Sequence, residues 1–169
     1  MSESVQQHRE SAPDQISCVV ITVSDTRTEE TDRSGKIMRE RLAGAGHRIV
    51  GYHIVPDEPE QIDALLDRYT ADEECQAILF NGGTGIASRD TTYDVISRRL
   101  EKVLPGFGEL FRMLSYDEIG GAAMLSRATA GVINGTLILS TPGSSNAVAL
   151  AMDKLITSEI AHLVFEVNK

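Results

Sequence analysis

No tryptophan occurs in this chain of 169 residues, and aromatic residues make up only 5% of it. Proteins that hold single-stranded nucleic acid use aromatic platforms along a basic groove. Neither is present: the formal net charge is −9, and no long Lys/Arg run occurs. The one dense basic cluster, Arg98, Arg99 and Lys102, sits in an expected helix and reads as a solvated face. Cysteine is scarce as well. Cys18 and Cys75 have no neighbours at metal-ligand spacing, and two cysteines make no disulfide framework. Cys18, within an apolar run, reads as a small buried hydrophobe. No apolar run is long enough to span a bilayer, and the N-terminal stretch lacks a signal peptide's apolar core. The expectation is a cytoplasmic protein with neither a nucleic-acid nor a membrane partner. The few histidines are scattered (His8, His47, His53, His162), and no GxSxG elbow occurs, so nothing suggests a hydrolase triad.

What is present is a chain of one-domain length, 41% hydrophobic. Residues 1–15 are polar and read as a flexible tail; residues 16–169 read as a single domain. Ile16–Ser24 is β-branched and uncharged, a strand buried on both faces. Asp32–Ala45 carries a helical pattern stopped by Gly44 and Gly46. His47–Val55 reads as a second strand, Glu58–Tyr69 as a helix, Gln76–Asn81 as a third strand and Thr91–Leu100 as a helix. Thr91 and Asp94 have capping-box spacing. Past Leu104–Gly108 the pattern suggests a short helix and then a loop from Ser115 to Arg127. Asn134-Gly135 between two β-rich runs is a hairpin signal. A helix follows Pro142-Gly143, and a last helical or extended stretch ends the chain. Alternating strands and helices imply an α/β fold with a mostly parallel sheet covered on both faces.

Such sheets bind ligands at the carboxyl ends of their strands. The loops expected there carry Ser24-Asp25-Thr26, Pro56-Asp57-Glu58, Gly82-Gly83-Thr84-Gly85 with Asp90, and Pro142-Gly143-Ser144-Ser145. Bare N–H groups and hydroxyls suit an anion, and carboxylates suit Mg²⁺. Each part also has a plainer reading. The glycines serve a tight strand-to-helix turn; their spacing matches neither a dinucleotide fingerprint nor a P-loop. Asp90 serves equally as a helix N-cap, Asp25 and Asp57 as turn residues, and Ser144 and Ser145 as caps. Arg89 has two candidate partners, a ligand or a neighbouring carboxylate.

The stretch NGGTGIASRDTT (81–92) resembles the GGTG-x-x-x-RD-x-T signature of the MoaB/Mog family of molybdenum cofactor biosynthesis proteins. TVSDT, DRSG, PDE, LPGFGELFRMLS, AMLSRATAG and TPGSSNAV are similar to the family's other blocks, in the same order, over roughly residues 16–163. The resemblance implies a three-layer α/β/α molybdopterin-binding fold with a mostly parallel mixed sheet. It implies Mg-ATP-dependent adenylylation of molybdopterin, with delivery to a MoeA-type molybdate insertase. It carries two essential acids onto Asp57 and Asp90, which would also hold Mg²⁺. Substrate contacts fall on Ser24, Asp25, Gly82, Gly83, Thr84, Gly85, Ser115, Ser126, Pro142, Gly143 and Ser144. The late loop departs from the Mog pattern: Ser145 stands where a second proline is expected. The Ser115–Ser126 spacing is also slightly longer than in the Mog branch. Both features resemble the MoaB branch, for which the resemblance implies a homohexamer, with a trimer as the alternative. The same resemblance leaves open a non-catalytic carrier of molybdopterin or nucleotide.

Overall fold

The computed structural model describes residues 12–169; residues 1–11 of the expected tail lie outside the described residues. Six strands form one mixed sheet: β1 (Ser17–Val23), β2 (Arg48–Val55), β3 (Ala77–Asn81), β4 (Lys102–Val103), β5 (Thr129–Ile133) and β6 (Thr136–Thr141). Their order is β2-β1-β3-β6-β5-β4. The pairs β1–β2, β1–β3 and β3–β6 are parallel, while β5 runs antiparallel to β6 and to β4. The β5–β6 hairpin turns at Asn134-Gly135, both with positive φ, as an Asn-Gly turn requires.

Helices cover both faces. On one face lie α1 (Arg33–Gly44), α4 (Pro105–Ile119), α5 (Ser145–Ala151) and α6 (Ile160–Val167). Met38, Leu42, Phe111, Val148 and Val164 from these helices pack on Val20, Leu79 and Leu139 of the sheet. On the other face lie α2 (Pro59–Thr70) and α3 (Thr92–Arg99), whose Ile62, Leu66 and Ile96 meet Ile21, Phe80 and Ile138. The period of two in β1, β3 and β6 thus feeds two separate cores.

β2 is the outer edge and is only half-buried along most of its length. A register shift between Cys18 and Val19 leaves Val50 as an extra residue in it. Ile49 and Tyr52 consequently face α1, while Val50 and Val55 face α2. Burial pushes the Cys18 thiol, fully enclosed under this face, up to about 12, so it is an inert hydrophobe.

Three expectations need correction. α4 is not short: it runs for 15 residues, starts at Pro105 inside the supposed turn, and ends at Gly120 with positive φ. Its apolar face is the reason, since Phe107 and Phe111 are buried against the sheet. The loop that follows contains a 3₁₀ segment, Gly120–Leu125. The Thr91–Asp94 capping box does not form, because no side chain of α3 caps its own start; Asp94 binds Arg127 instead.

The chain leaves β1 for β2 with α1 on one face, then returns over β1 to β3 with α2 on the other. The carboxyl ends of β1 and β3 therefore flank the point where the winding reverses. That crevice is where doubly wound sheets take ligands.

Candidate functional site

A cavity of about 500 Å³ opens at that crevice. Its floor is Thr22, Val23 and Ser24 after β1, and Asn81 with Gly82 to Gly85 after β3. One wall is Pro142, Gly143 and Ser144, after β6; the roof is Phe111 and Ser115 of α4, with Ser126 beyond the 3₁₀ segment. Asp90 completes the lining on the glycine-loop side. The structure thus brings together eleven of the thirteen expected site residues. Asp25 and Asp57 do not line the cavity.

The glycine loop owes its shape to backbone that other residues resist. Gly82 and Gly83 have φ of 102° and 64°. A Cβ on Gly83 would overlap Thr92 and the Asp57 carboxylate. Among the described residues, the N–H groups of Gly83, Thr84, Gly85 and Ile86 meet no acceptor. Backbone donors left free beside a concavity are the means of holding an anion. The Asp90 carboxylate lies over Gly85 and takes no hydrogen bond from any described residue. Two further polar atoms in the lining are buried and unpartnered: Asn81 Oδ1 and Ser126 Oγ. Unpaired buried polar atoms are uncommon and cluster where ligands complete them.

The orientation of Asn81 follows from its neighbours. Asp32, an acceptor only, receives the Thr22 hydroxyl at 2.5 Å and the Tyr52 hydroxyl at 2.6 Å. Thr22 has then spent its proton, so it accepts from Asn81 Nδ2 at 2.9 Å. This leaves the Asn81 carbonyl oxygen without a partner. Burial raises the Asp32 carboxyl, but the bonds from Thr22, Tyr52, Gly35 and Ser34 outweigh it and hold the group below the usual range.

Asp57 is 5% exposed, and its carboxylate is already occupied. It accepts from Thr91 N at 3.1 Å, Thr91 Oγ1 at 2.7 Å and Thr92 Oγ1 at 3.1 Å. It caps α3 from outside the helix. Arg89 binds Asp25 through two bonds, at 3.0 and 2.8 Å, reaches the Asp57 carbonyl at 2.6 Å and pairs with Glu58 at 3.0 Å. Hydrogen bonds from Arg89 and then from the Asp57 N–H hold the Asp25 carboxyl below the usual range. Ser24 Oγ accepts from Thr26 N and Arg27 N, and Ser144 Oγ from Ala147 N, so both hydroxyls shape the loops that border the cavity.

Sequence reasoning missed three residues here. Arg27 is the one cation among the described residues that line the cavity, donating to Ser34 Oγ at 3.0 Å and to the Gly143 carbonyl at 3.4 Å. Asn81 could have been noticed as a polar residue closing an apolar strand. Arg127, behind the glycine loop, left no local signal. Among the described residues no cluster of three or more His, Cys, Asp or Glu could cage a metal ion. No helix among them is long and apolar enough to cross a membrane.

The fold and the cavity together define a doubly wound α/β protein with an anion-ready site at its switch point. The sequence matches the family described as "Probable molybdopterin binding domain" over residues 19–162. A Bacillus subtilis protein named molybdenum cofactor biosynthesis protein B is 58% identical over 167 residues, 98% of each chain. A crystal structure of a molybdenum cofactor biosynthesis protein B superposes with a TM-score of 0.89 at 49% identity, covering 94% of this chain and 99% of that one. The tungsten cofactor synthesizing protein MoaB from Pyrococcus furiosus gives 0.84 at 37% identity, over 94% and 100% of the two chains. The chain belongs to the MoaB/Mog family of molybdenum cofactor biosynthesis proteins.

Proposed function

We propose that this protein adenylylates molybdopterin with Mg-ATP, forming adenylyl-molybdopterin and pyrophosphate. The observation that carries the reading is one cavity lined by free backbone N–H groups at Gly83 to Gly85 and by the unpaired carboxylate of Asp90. A terminal phosphate oxygen of molybdopterin attacks the α-phosphorus of ATP. The new P–O bond forms as the bond to the bridging oxygen breaks, and pyrophosphate leaves with its electron pair. The nucleophile is already ionised, so no general base is required, in keeping with a cavity that no histidine among the described residues lines. Two anions must approach, so charge neutralisation dominates the barrier.

The donor set fits magnesium in its usual manner, one or two carboxylates with substrate phosphates and water completing the shell. Asp90 would hold it, and the ion would neutralise triphosphate charge. Asp57 contributes to the same site through the loop and helix it ties together, its own oxygens being engaged by Thr91 and Thr92. The N–H groups of Gly83 to Gly85 and the Thr84 hydroxyl hold a phosphate. Arg27 opposes the remaining charge. Ser115 and Ser126 from the roof meet the pterin side, and Pro142-Gly143 lies against the nucleotide.

A second reading is a carrier that binds molybdopterin or nucleotide without transfer. One observation favours it: among the described residues, Asp90 is the single carboxylate lining the cavity. The deciding experiment is pyrophosphate release from Mg-ATP with molybdopterin, wild type beside Asp90→Asn. Release by wild type that is lost in a folded variant supports transfer. Binding without release makes the protein a carrier.

The proposed setting is cytoplasmic, with a MoeA-type insertase taking the product. The assembly is a homohexamer, with a trimer as the alternative. It is supported by Leu110, Met113, Tyr116 and Ile119, an exposed apolar stripe along α4 that continues to Met124 and Leu125. Light scattering on the purified chain separates six, three and one copies.

A further inference from the structure

Arg127 stands outside the cavity, yet its guanidinium is almost entirely committed to the loop that forms the cavity's edge. Nε donates to the Thr84 carbonyl at 2.9 Å. One terminal nitrogen donates to the Gly85 carbonyl and, at 3.4 Å, to the Asp90 carbonyl. The other faces both oxygens of Asp94, at 3.0 and 3.2 Å. The plane lies over the Tyr93 ring, 4.5 Å from its centroid. Asp94 and Tyr93 both belong to α3, so the guanidinium is clamped between that helix and the loop. A fork with its donors spent this way cannot also be a ligand contact.

The direction of the peptide planes gives the clamp its consequence. In a trans peptide the C=O and the following N–H point opposite ways, and no cis bond occurs among the described residues. Arg127 pins the Thr84 and Gly85 carbonyls on its own side. The N–H groups of Gly85 and Ile86 must then point away from it, and Gly85 lines the cavity. Neither N–H meets an acceptor. Left to itself, a loop with three glycines would sample many orientations and would pay to order itself on binding.

We infer that Arg127 is a positioning residue for phosphate recognition: from behind the loop it presents the N–H groups of Gly85 and Ile86 to a phosphate group of the ligand. The inference rests on reading the cavity as a phosphate site. A nucleotide triphosphate and a pterin phosphomonoester share this chemistry, so MgATP and inorganic phosphate serve as separate probes.

The experiment measures calorimetric affinity for both probes in full-length wild type, Arg127→Ala, Arg127→Lys and Asp94→Asn, with deuterium exchange of segment 82–90 in the same samples. Arg127→Ala should weaken whichever probe binds wild type by about tenfold and speed exchange of the segment. Arg127→Lys keeps the charge and loses the fork, and should resemble Arg127→Ala. Asp94→Asn, which meets the loop only through Arg127, should weaken binding by about threefold. Added ethylguanidinium should restore affinity and slow exchange in Arg127→Ala without changing wild type, which a general packing defect would not allow. Should Arg127→Ala fail to fold, Asp94→Asn decides. Wild-type affinity in a folded Arg127→Ala or in Asp94→Asn overturns the role of Arg127 while the phosphate reading stands. No binding of either probe to wild type overturns the phosphate reading and this inference with it.

Discussion

Two polar clusters lie at the carboxyl edge of the sheet, and they differ in how much of their hydrogen-bonding capacity is spent. Asp32, 2% exposed, is saturated by Thr22, Tyr52, Ser34 and the Gly35 N–H. Asp90 sits in the cavity lining with no donor on its carboxylate, beside a run of amides with no acceptor. A buried acid that is fully satisfied locks a loop to a helix and has nothing left for a ligand. An acid and a row of amides left unsatisfied can serve only something that arrives. By this criterion Asp57 belongs with Asp32: it holds structure, and it stands behind the cavity rather than in it.

The largest effect that would break this comparison is at the saturated cluster. Asp32→Ala strands three hydroxyls and releases Asn81, and should lower the unfolding free energy by about 3–5 kcal/mol. Denaturant titration measures it. The pH dependence has a definite sign. The Asp32 carboxyl lies below its ordinary value in the folded protein, so its contribution is complete above the unfolded value of about 3.9 and is lost as the pH falls through the folded one. Wild type should therefore lose stability with a steeper acid slope than Asp32→Ala below about pH 4.

At the unsatisfied cluster the effect should move from folding to chemistry. Asp90→Asn should leave the melting temperature near that of wild type while reducing pyrophosphate release by about a hundredfold or more. Equal losses of stability and turnover would erase the distinction between the clusters. Smaller again is Gly83→Ala, which joins the two. Its φ of 64° and the crowding of Thr92 and Asp57 should cost about 1–3 kcal/mol of stability. Binding of MgATP should fall with it, and a variant that melts and binds like wild type would show that the loop does not need this geometry.

Much of this architecture is legible along the chain. β1, β3 and the Asn-Gly hairpin come from local hydrophobicity and turn chemistry, which act over a few residues. α4 departs from the expectation because Leu104–Gly108 carries turn signals while its helical fate depends on burying Phe107 and Phe111 in the core, where α4 packs on β5 and α5. The capping box expected at Thr91 does not form because Asp94 meets a stronger partner, Arg127, 33 residues away. The same distance hides the role of Asp57, whose carboxylate finds Thr91 across 34 residues.

By itself, the sequence determined the order of elements, the glycine loop at a strand end and the kinship to a molybdopterin-binding family. The first two follow from residue spacing, which is a local property; the kinship rests on the resemblance of whole motif blocks. Only the tertiary structure decided which polar groups are consumed by the fold and which remain for a ligand. The Asn81 carbonyl oxygen, the Asp90 carboxylate and the amides of the glycine loop are left open because Thr22, Thr92 and Arg127 meet their neighbours in space. A hydrogen bond is satisfied or left open by three-dimensional proximity, which no spacing along the chain records.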